Sequence, residues 1–392
     1  MRFAFLTPEY ATSTSSAGGL ANFVVRTTTA LVQQGHEVDV MALADSNMQT
    51  NSQGVQVFAY QHTTSLLEKL CDLPRRVTPH WQVQQLLSER RIGKRLSSLL
   101  QKHFVGNEYD IIHTSDYGLA GLWLPAELQK RTVVRCSSPA ELYRDIYGRK
   151  GLLSESLLRR WEHQLLRDCW RCYAPSELVA KFYREATGAR VEVVRPPFFL
   201  EVDPASDVGF ELPSRYLLHF GNIGPVKGSD VLAKALSVAW ERCPDLEMVW
   251  AGVETSPHVF AKFERGWGNK SKLVRWVGKQ PKSVIYRLIQ ESSAVVAPSR
   301  CDNLPNAVLE SQSLRRGVIG TNGASIDEII EDGRTGRLVQ AENHEDLAAA
   351  LIEAWESRGP FGCKHVPLPS IFDELKPDRA VSRLLEYLAI RE

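Results

Sequence analysis

Short apolar runs alternate with longer amphipathic segments along most of the chain, in two successive series. The first runs from RFAFLTP through a helical pattern at about Gly19 to Gln34, then EVDVMAL, YDIIHTS, TVVRCS and CYAPS. Strand–helix alternation of this kind implies a parallel α/β sheet. Around VEVVRPPFFLEVDPASD the pattern breaks into prolines and acids, as suits a linker ending near residue 212. A second series follows: RYLLHFGN, a helix from about Ser229 to Cys243, LEMVWAG, KLVRWVG, SAVVAPS, a helix near 306–315, and GVIGTN. Two doubly wound, Rossmann-like α/β domains, 1–200 and 212–376, are the most economical reading. The remaining 377–392 carries Val381, Leu384, Leu385 and Leu388 at helical spacing, a stripe that needs a surface to bury it.

A length of 392 residues also favours two domains over one core. A net charge of +1 gives no global attraction to nucleic acid, so no nucleic-acid partner is expected. The start, MRFAFLTPEY, reads as a buried strand and not a signal peptide, and no later run approaches a membrane span, so a cytoplasmic location is expected. Seven scattered cysteines suggest reduced thiols. Cys169 and Cys172 form one CxxC in a Trp-rich stretch read as helical, with helical packing as the plain reading and zinc or redox chemistry as the other. There is no Asp-x-Asp anywhere, hence no sign of a divalent-metal clamp, and no metal or cofactor is expected.

Open parallel sheets bind ligands at the carboxyl ends of their strands, so the loops there carry the candidates. In TPEYATSTSSAGGLANFV, Gly18 and Gly19 stand before a helix, where backbone N–H groups and the helix dipole can meet an anion; a flexible turn is the alternative. In HFGNIGPVKGSDVL, Gly221, Gly224 and Gly228 loosen a loop, Lys227 supplies a cation, and Ser229 can cap the next helix. This stretch fits neither GxGxxG nor a P-loop ending, and a solvated lysine is its plain reading. In SRCDNLPNAVLES, Pro305 suits a first helical turn and Asn303 can help cap it. Glu310 then falls early in the helix, where it could hold ribose hydroxyls, and Asp302 on the loop could reach an attached sugar; a capping acid and an exposed glutamate are the alternative. In YDIIHTSDYG, His113 ends a strand with Asp116 in the turn after it, and it serves either a substrate hydroxyl or the core.

Taken in order, these motifs resemble those of the retaining glycosyltransferases of family 4. TPEY…GGLANFVVRTTTALVQQGHEVDV is similar to that family's opening, HFGNIGPVKGSDVL to its phosphate loop, and PSRCDNLPNAVLES…GASIDEIIEDGRTGRLV to its donor signature. The resemblance implies a GT-B fold, two Rossmann-like domains facing a central cleft, with a nucleoside-diphosphate sugar as donor substrate. It implies that Gly19 backs the donor phosphate, Lys227 neutralises the diphosphate, Glu310 holds the ribose, Asp302 with Asn303 and Leu304 addresses the sugar, and His113 contacts that sugar from the opposite wall. It implies that the last helix crosses back to the N-terminal domain.

Two positions depart from the pattern. Asp302 stands where the family commonly has Glu, shorter by one methylene, roughly 1.5 Å of reach. Asn222 stands where it commonly has Arg, with Arg195 or Arg300 as replacements for the lost charge. The expected chemistry is retaining transfer of a hexose-type sugar, with the leaving phosphate oxygen taking the acceptor's proton. The acceptor would be a hydroxyl of a glycan, lipid-linked or small molecule. The stretch 75–102, with seven Arg and Lys against one Glu and with Trp81 among them, is either a solvated basic face or a peripheral contact with an anionic membrane. A sugar-nucleotide epimerase or hydrolase and an inactive nucleotide-sugar-binding subunit are the other functional readings.

Overall fold

The computed structural model describes residues 1–10, 18–44, 46–61, 80–104, 108–137, 139, 141–142, 146, 153–363 and 365–389, without the side chains of 80–84 and 153–154. The chain divides into two compact units, Met1–Pro197 with Glu374–Glu392, and Phe198–Asp373.

The first unit is built on eight strands: β1 (Arg2–Thr7), β2 (Glu37–Ala44), β3 (Met48–Ser52), β4 (Val55–Gln61), β5 (Ile111–Ser115), β6 (Thr132–Arg135), β7 (Arg171–Ala174) and β8 (Val191–Val193). Their order is β3-β4-β2-β1-β5-β6-β7-β8, parallel except where β3 runs back along β4. The central strands are buried almost end to end, which is why they read as continuous apolar runs and not as alternating ones. On one face, Phe3, Phe5, Val38 and Val40 pack with Phe23 and Leu31 of the Gly19–Gln33 helix. On the other, Leu6 and Met41 pack with Ile92, Leu96 and Leu100 of the His80–Phe104 helix.

The last helix, Pro377–Ala389, belongs to this first unit. Its Val381, Leu384, Tyr387 and Leu388 join the cluster around Phe3 and Phe23, and the Tyr387 hydroxyl donates to the Cys172 carbonyl at 2.8 Å. Each aliphatic side chain so buried contributes about 1.5–3 kcal/mol. The sequence-level stripe thus meets its surface, and an acid at Val381 would undo it.

The second unit carries six parallel strands in the order β11-β10-β9-β12-β13-β14: β9 (Leu217–Phe220), β10 (Met248–Ala251), β11 (Val274–Trp276), β12 (Ala294–Ala297), β13 (Val318–Thr321) and β14 (Gly336–Val339). Trp250 is fully buried among Phe260, Phe263 and Trp267. The stretch after residue 198, read from sequence as a linker, is built into this unit. Glu201 pairs with Lys282 at 2.9 Å and accepts from the Tyr286 hydroxyl at 2.8 Å, while the Ala205 N–H donates to Ser283. Among the described residues no helix is long and apolar enough to cross a membrane.

Candidate functional site

In the second unit the loops after β9, β12 and β13 converge. The loop after β9 ends at Gly228, whose φ of +66° is left-handed and whose added Cβ would lie 1.9 Å from the Pro298 carbonyl oxygen, so only glycine fits. The same holds at Gly252 after β10, where a Cβ would meet the Gly221 carbonyl at 1.7 Å. These glycines let successive loops touch backbone to backbone at the carboxyl edge.

Across that junction the Lys227 ammonium meets the Asp302 carboxylate at 2.5 Å, with the two side chains 30% and 15% exposed. Two residues singled out separately in the sequence are therefore direct partners. The Asp302–Pro305 segment is held in an uncommon conformation, since Leu304 has φ +53°. Its N–H donates to Ser325 Oγ at 2.9 Å, and that hydroxyl donates to the Asp302 carbonyl at 3.0 Å. Ser325 is itself left-handed at φ +56°. A strained pair braced by one hydroxyl is the kind of over-determined backbone found at ligand clamps. Glu310 lies buried in the Asn306–Ser313 helix that follows.

The helix caps differ from the expectation. Ser229 is the first residue of its helix, Gly228 is the N-cap, and the Ser229 hydroxyl accepts from the Gly224 N–H at 3.0 Å, closing the loop instead of capping the helix. Pro305 is the N-cap position of the next helix.

Arg300 is not spare charge for a diphosphate. Its guanidinium grips Asp230 at 2.6 and 2.8 Å, Glu342 at 2.9 Å and the Pro225 carbonyl at 2.6 Å, so it fastens the Lys227 loop from behind. Burial raises the Asp230 pKa, but Arg300, together with Asp230's own backbone N–H and Lys234, outweighs it and leaves the carboxyl below its usual value. Arg195 belongs to the first unit and donates to the Pro175 carbonyl. Asn222 is exposed beside Gly221.

In the first unit Gly18 is the N-cap of the Gly19–Gln33 helix, and the residues before it from 11 to 17 lie outside the described ones. A group the sequence reading passed over sits at this helix end: Glu9 accepts hydrogen bonds from the Ala21 and Gly18 backbone. Burial pushes the Glu9 carboxyl up, and those two bonds only partly offset it. Its cue in the sequence was an acid directly after the first strand, ahead of the glycine pair.

His113 is a core residue. It is 4% exposed, its Nε2 lies 2.8 Å from the Tyr173 hydroxyl, and its ring stacks on Phe5 at 4.4 Å between centroids. Burial, with the nearby Arg135 charge, lowers its pKa to about 3, so the ring is neutral. These surroundings are those of the core alternative raised for it. Asp116 is likewise buried, accepting from Tyr117 N, Ser137 N and the Tyr183 hydroxyl. Beneath it Glu89 accepts the Gly118 N–H at 2.6 Å, and burial lifts its pKa to about 7 despite that bond, with Asp116 adding to the rise.

Of the basic stretch, 75–79 and the Trp81 side chain lie outside the described residues. Arg90, Lys94, Arg95 and Lys102 stand exposed on the His80–Phe104 helix, and Lys94 lies 4.9 Å from the Trp123 ring centre. Cys169 and Cys172 do not share a helix: one follows the Leu153–Asp168 helix and the other lies in β7. Among the described residues no group of three His, Cys, Asp or Glu could hold a metal ion.

Residues 17–201 match the family model for Glycosyltransferase Family 4, and residues 214–357 that for Glycosyl transferases group 1. The chain is 24% identical over 378 residues to a D-inositol 3-phosphate glycosyltransferase of Corynebacterium glutamicum, covering 89% of this chain and 87% of that protein. It is 25% identical over 376 residues to the protein of that name from Actinosynnema mirum, covering 86% and 84%. Among solved structures, Anabaena HepE in complex with UDP and glucose superposes with a TM-score of 0.66 at 14% identity, covering 100% of this chain and 99% of that one. An α,α-trehalose-phosphate synthase (UDP-forming) from Burkholderia xenovorans, in complex with glucose-6-phosphate, gives 0.67 at 11% identity and 99% of each chain. With both halves matched in order and the doubly wound sheets in place, the chain belongs to the family 4 glycosyltransferases and has their two-domain GT-B fold.

Proposed function

We propose that this glycosyltransferase moves a hexose-type sugar from a nucleoside-diphosphate donor to a hydroxyl acceptor, with retention at the anomeric carbon and without a metal. The observation that carries the reading is the Lys227–Asp302 pair at the carboxyl edge, tied to a braced, left-handed Leu304. A bound diphosphate would take the ammonium from Asp302 and free that carboxylate for the sugar hydroxyls, so donor binding exchanges one partner for another. Asn303, Leu304 and Pro305 supply backbone beside the sugar, Glu310 the ribose contact, and Gly221 and Asn222 the adjacent edge. Gly18 and Gly19 present a helix N-terminus to anionic substrate in the first unit.

His113 takes no part in the chemistry of this scheme; neutral and enclosed, it packs β5 against β7. The leaving diphosphate oxygen accepts the acceptor's proton, while Lys227 and the loop N–H groups stabilise the charge that develops there. Uridine diphosphate is the donor nucleotide we favour, because the fold neighbours named above were solved with it or form it. A small polyol phosphate is the acceptor class to try first, given the relatives' names. A lipid-linked acceptor reached through the basic face of the His80–Phe104 helix is the alternative, and binding to anionic liposomes at low salt tests it.

The inactive-subunit reading keeps one observation in its favour: Asn222 carries no charge and Arg300 is committed to Asp230 and Glu342. The deciding experiment incubates the protein with UDP-glucose in EDTA, with and without acceptor. Acceptor-dependent UDP release giving an α-linked product by NMR supports the proposal. A β-linked product overturns retention, release without acceptor favours the hydrolase, and binding without release favours the inactive subunit.

A further inference from the structure

A second feature of the first unit lies away from the carboxyl-edge loops. A cavity of about 430 Å³ opens at the amino ends of β7 and β8, and its lining includes Cys169, Cys172, Tyr387 and the arginines Arg167, Arg171 and Arg190. Among the described residues no carboxylate lines it. Both thiols line it, Cys169 partly exposed and Cys172 3% exposed; the Cys169 thiol donates to the Arg171 carbonyl at 3.3 Å and the Cys172 thiol to the Arg190 carbonyl at 3.4 Å. The Arg171 guanidinium lies 4.9 Å from the Trp170 ring centre and 5.2 Å from that of Tyr387, so cationic charge is fixed at the rim.

A CxxC pair lining one cavity with three arginines, one member reachable through it, has the makings of a thiol–disulfide exchange site. We propose that Cys169 and Cys172 are a redox-active pair that an anionic low-molecular-weight disulfide, admitted through this cavity, converts to a disulfide. In the first step the Cys169 sulfur attacks one sulfur of RSSR, the S–S bond breaks, and RS⁻ leaves. In the second, the Cys172 sulfur attacks Cys169 Sγ and the second RS⁻ leaves. The two thiol protons end on two RSH molecules; the protein loses two electrons and RSSR gains them. Because the Tyr387 hydroxyl bonds the Cys172 carbonyl, the new link would bear directly on the seat of the last helix.

The test uses the full chain with Cys363→Ser, which removes an exposed competing thiol, and glutathione disulfide as oxidant. The expected result is a loss of two hydrogens in intact mass and, since trypsin cuts after Arg171, two tryptic peptides joined through Cys169 and Cys172, released by a thiol reductant. Cys172→Ala is expected to stop at glutathione on Cys169. Arg167→Ala with Arg190→Ala should slow glutathione disulfide several-fold and leave neutral hydroxyethyl disulfide unchanged. Both thiols remaining alkylatable after oxidation, or glutathione persisting on Cys169 in the chain that keeps Cys172, would overturn the pairing; equal slowing of both disulfides would overturn the role given to the arginines.

Discussion

The carboxyl-edge loops of the two units are held by opposite means. In the second unit charge is answered by charge: Lys227 with Asp302, and Arg300 with Asp230 and Glu342. In the first unit, carboxyl groups are tucked under loops with backbone N–H partners and little opposing charge, so burial raises Glu9 and Glu89. The contrast teaches what each edge is fitted for. An ion-paired loop can trade its internal anion for a ligand's anion at little desolvation cost, as a diphosphate donor requires. An edge whose acids burial pushes up is instead sensitive to pH.

The largest effect expected is on turnover. Lys227→Ala should lower kcat/KM on the order of 10²–10³-fold, the loss typical of one preorganised charge-stabilising group, read by steady-state kinetics at fixed acceptor. If the drop is under tenfold, the second unit's pair is merely structural and the contrast fails. Gly228→Ala comes next. With φ at +66° and the Pro298 oxygen at 1.9 Å from the new Cβ, the loop must move, and a cost of about 1–3 kcal/mol from backbone strain alone is expected. Thermal melting would check it.

The pH contrast follows. Glu89 has its folded pKa raised from 4.5 to about 7, so its stabilising contribution is complete below about pH 4.5 and is lost as pH rises through 7. At one unit per 1.36 kcal/mol this amounts to about 3 kcal/mol between pH 4.5 and 8. Melting curves at pH 5 and pH 8 should show that loss in the wild type and much less in Glu89→Gln; equal slopes would mean the carboxyl is not neutral in the fold. Smallest is Glu9→Gln, which removes an anion from the helix end at Gly18 and should tighten inorganic phosphate binding a few-fold, by calorimetry at pH 8. Unchanged binding would mean that phosphate does not use that helix end.

The strands that could be read from sequence are those buried on both faces, such as EVDVMAL and SAVVAPS, because burial makes them continuous apolar runs. Strand β3 was missed since MQTNS sits at the sheet edge with most side chains exposed, leaving no apolar signal. The site was legible as residue types and not as partners. Lys227 and Asp302 are 75 residues apart, and only the β9–β12 neighbourhood brings their loops together. His113 shows the converse: its strand-end position was visible, but the face it points to depends on Phe5 stacking across from it on β1. Glu9 and Ser229 turned on which backbone N–H each oxygen meets, which no spacing rule reports.

The central claim is that the Lys227–Asp302 junction receives a nucleoside diphosphate. Calorimetric titration of UDP, GDP and ADP into the wild type and Lys227→Ala tests it most directly, with melting temperatures as a folding control. One nucleotide binding the wild type and losing about tenfold or more in affinity in the variant, at unchanged melting temperature, is the predicted result. Equal affinity for both proteins, or no binding of any nucleotide to the wild type, would contradict it.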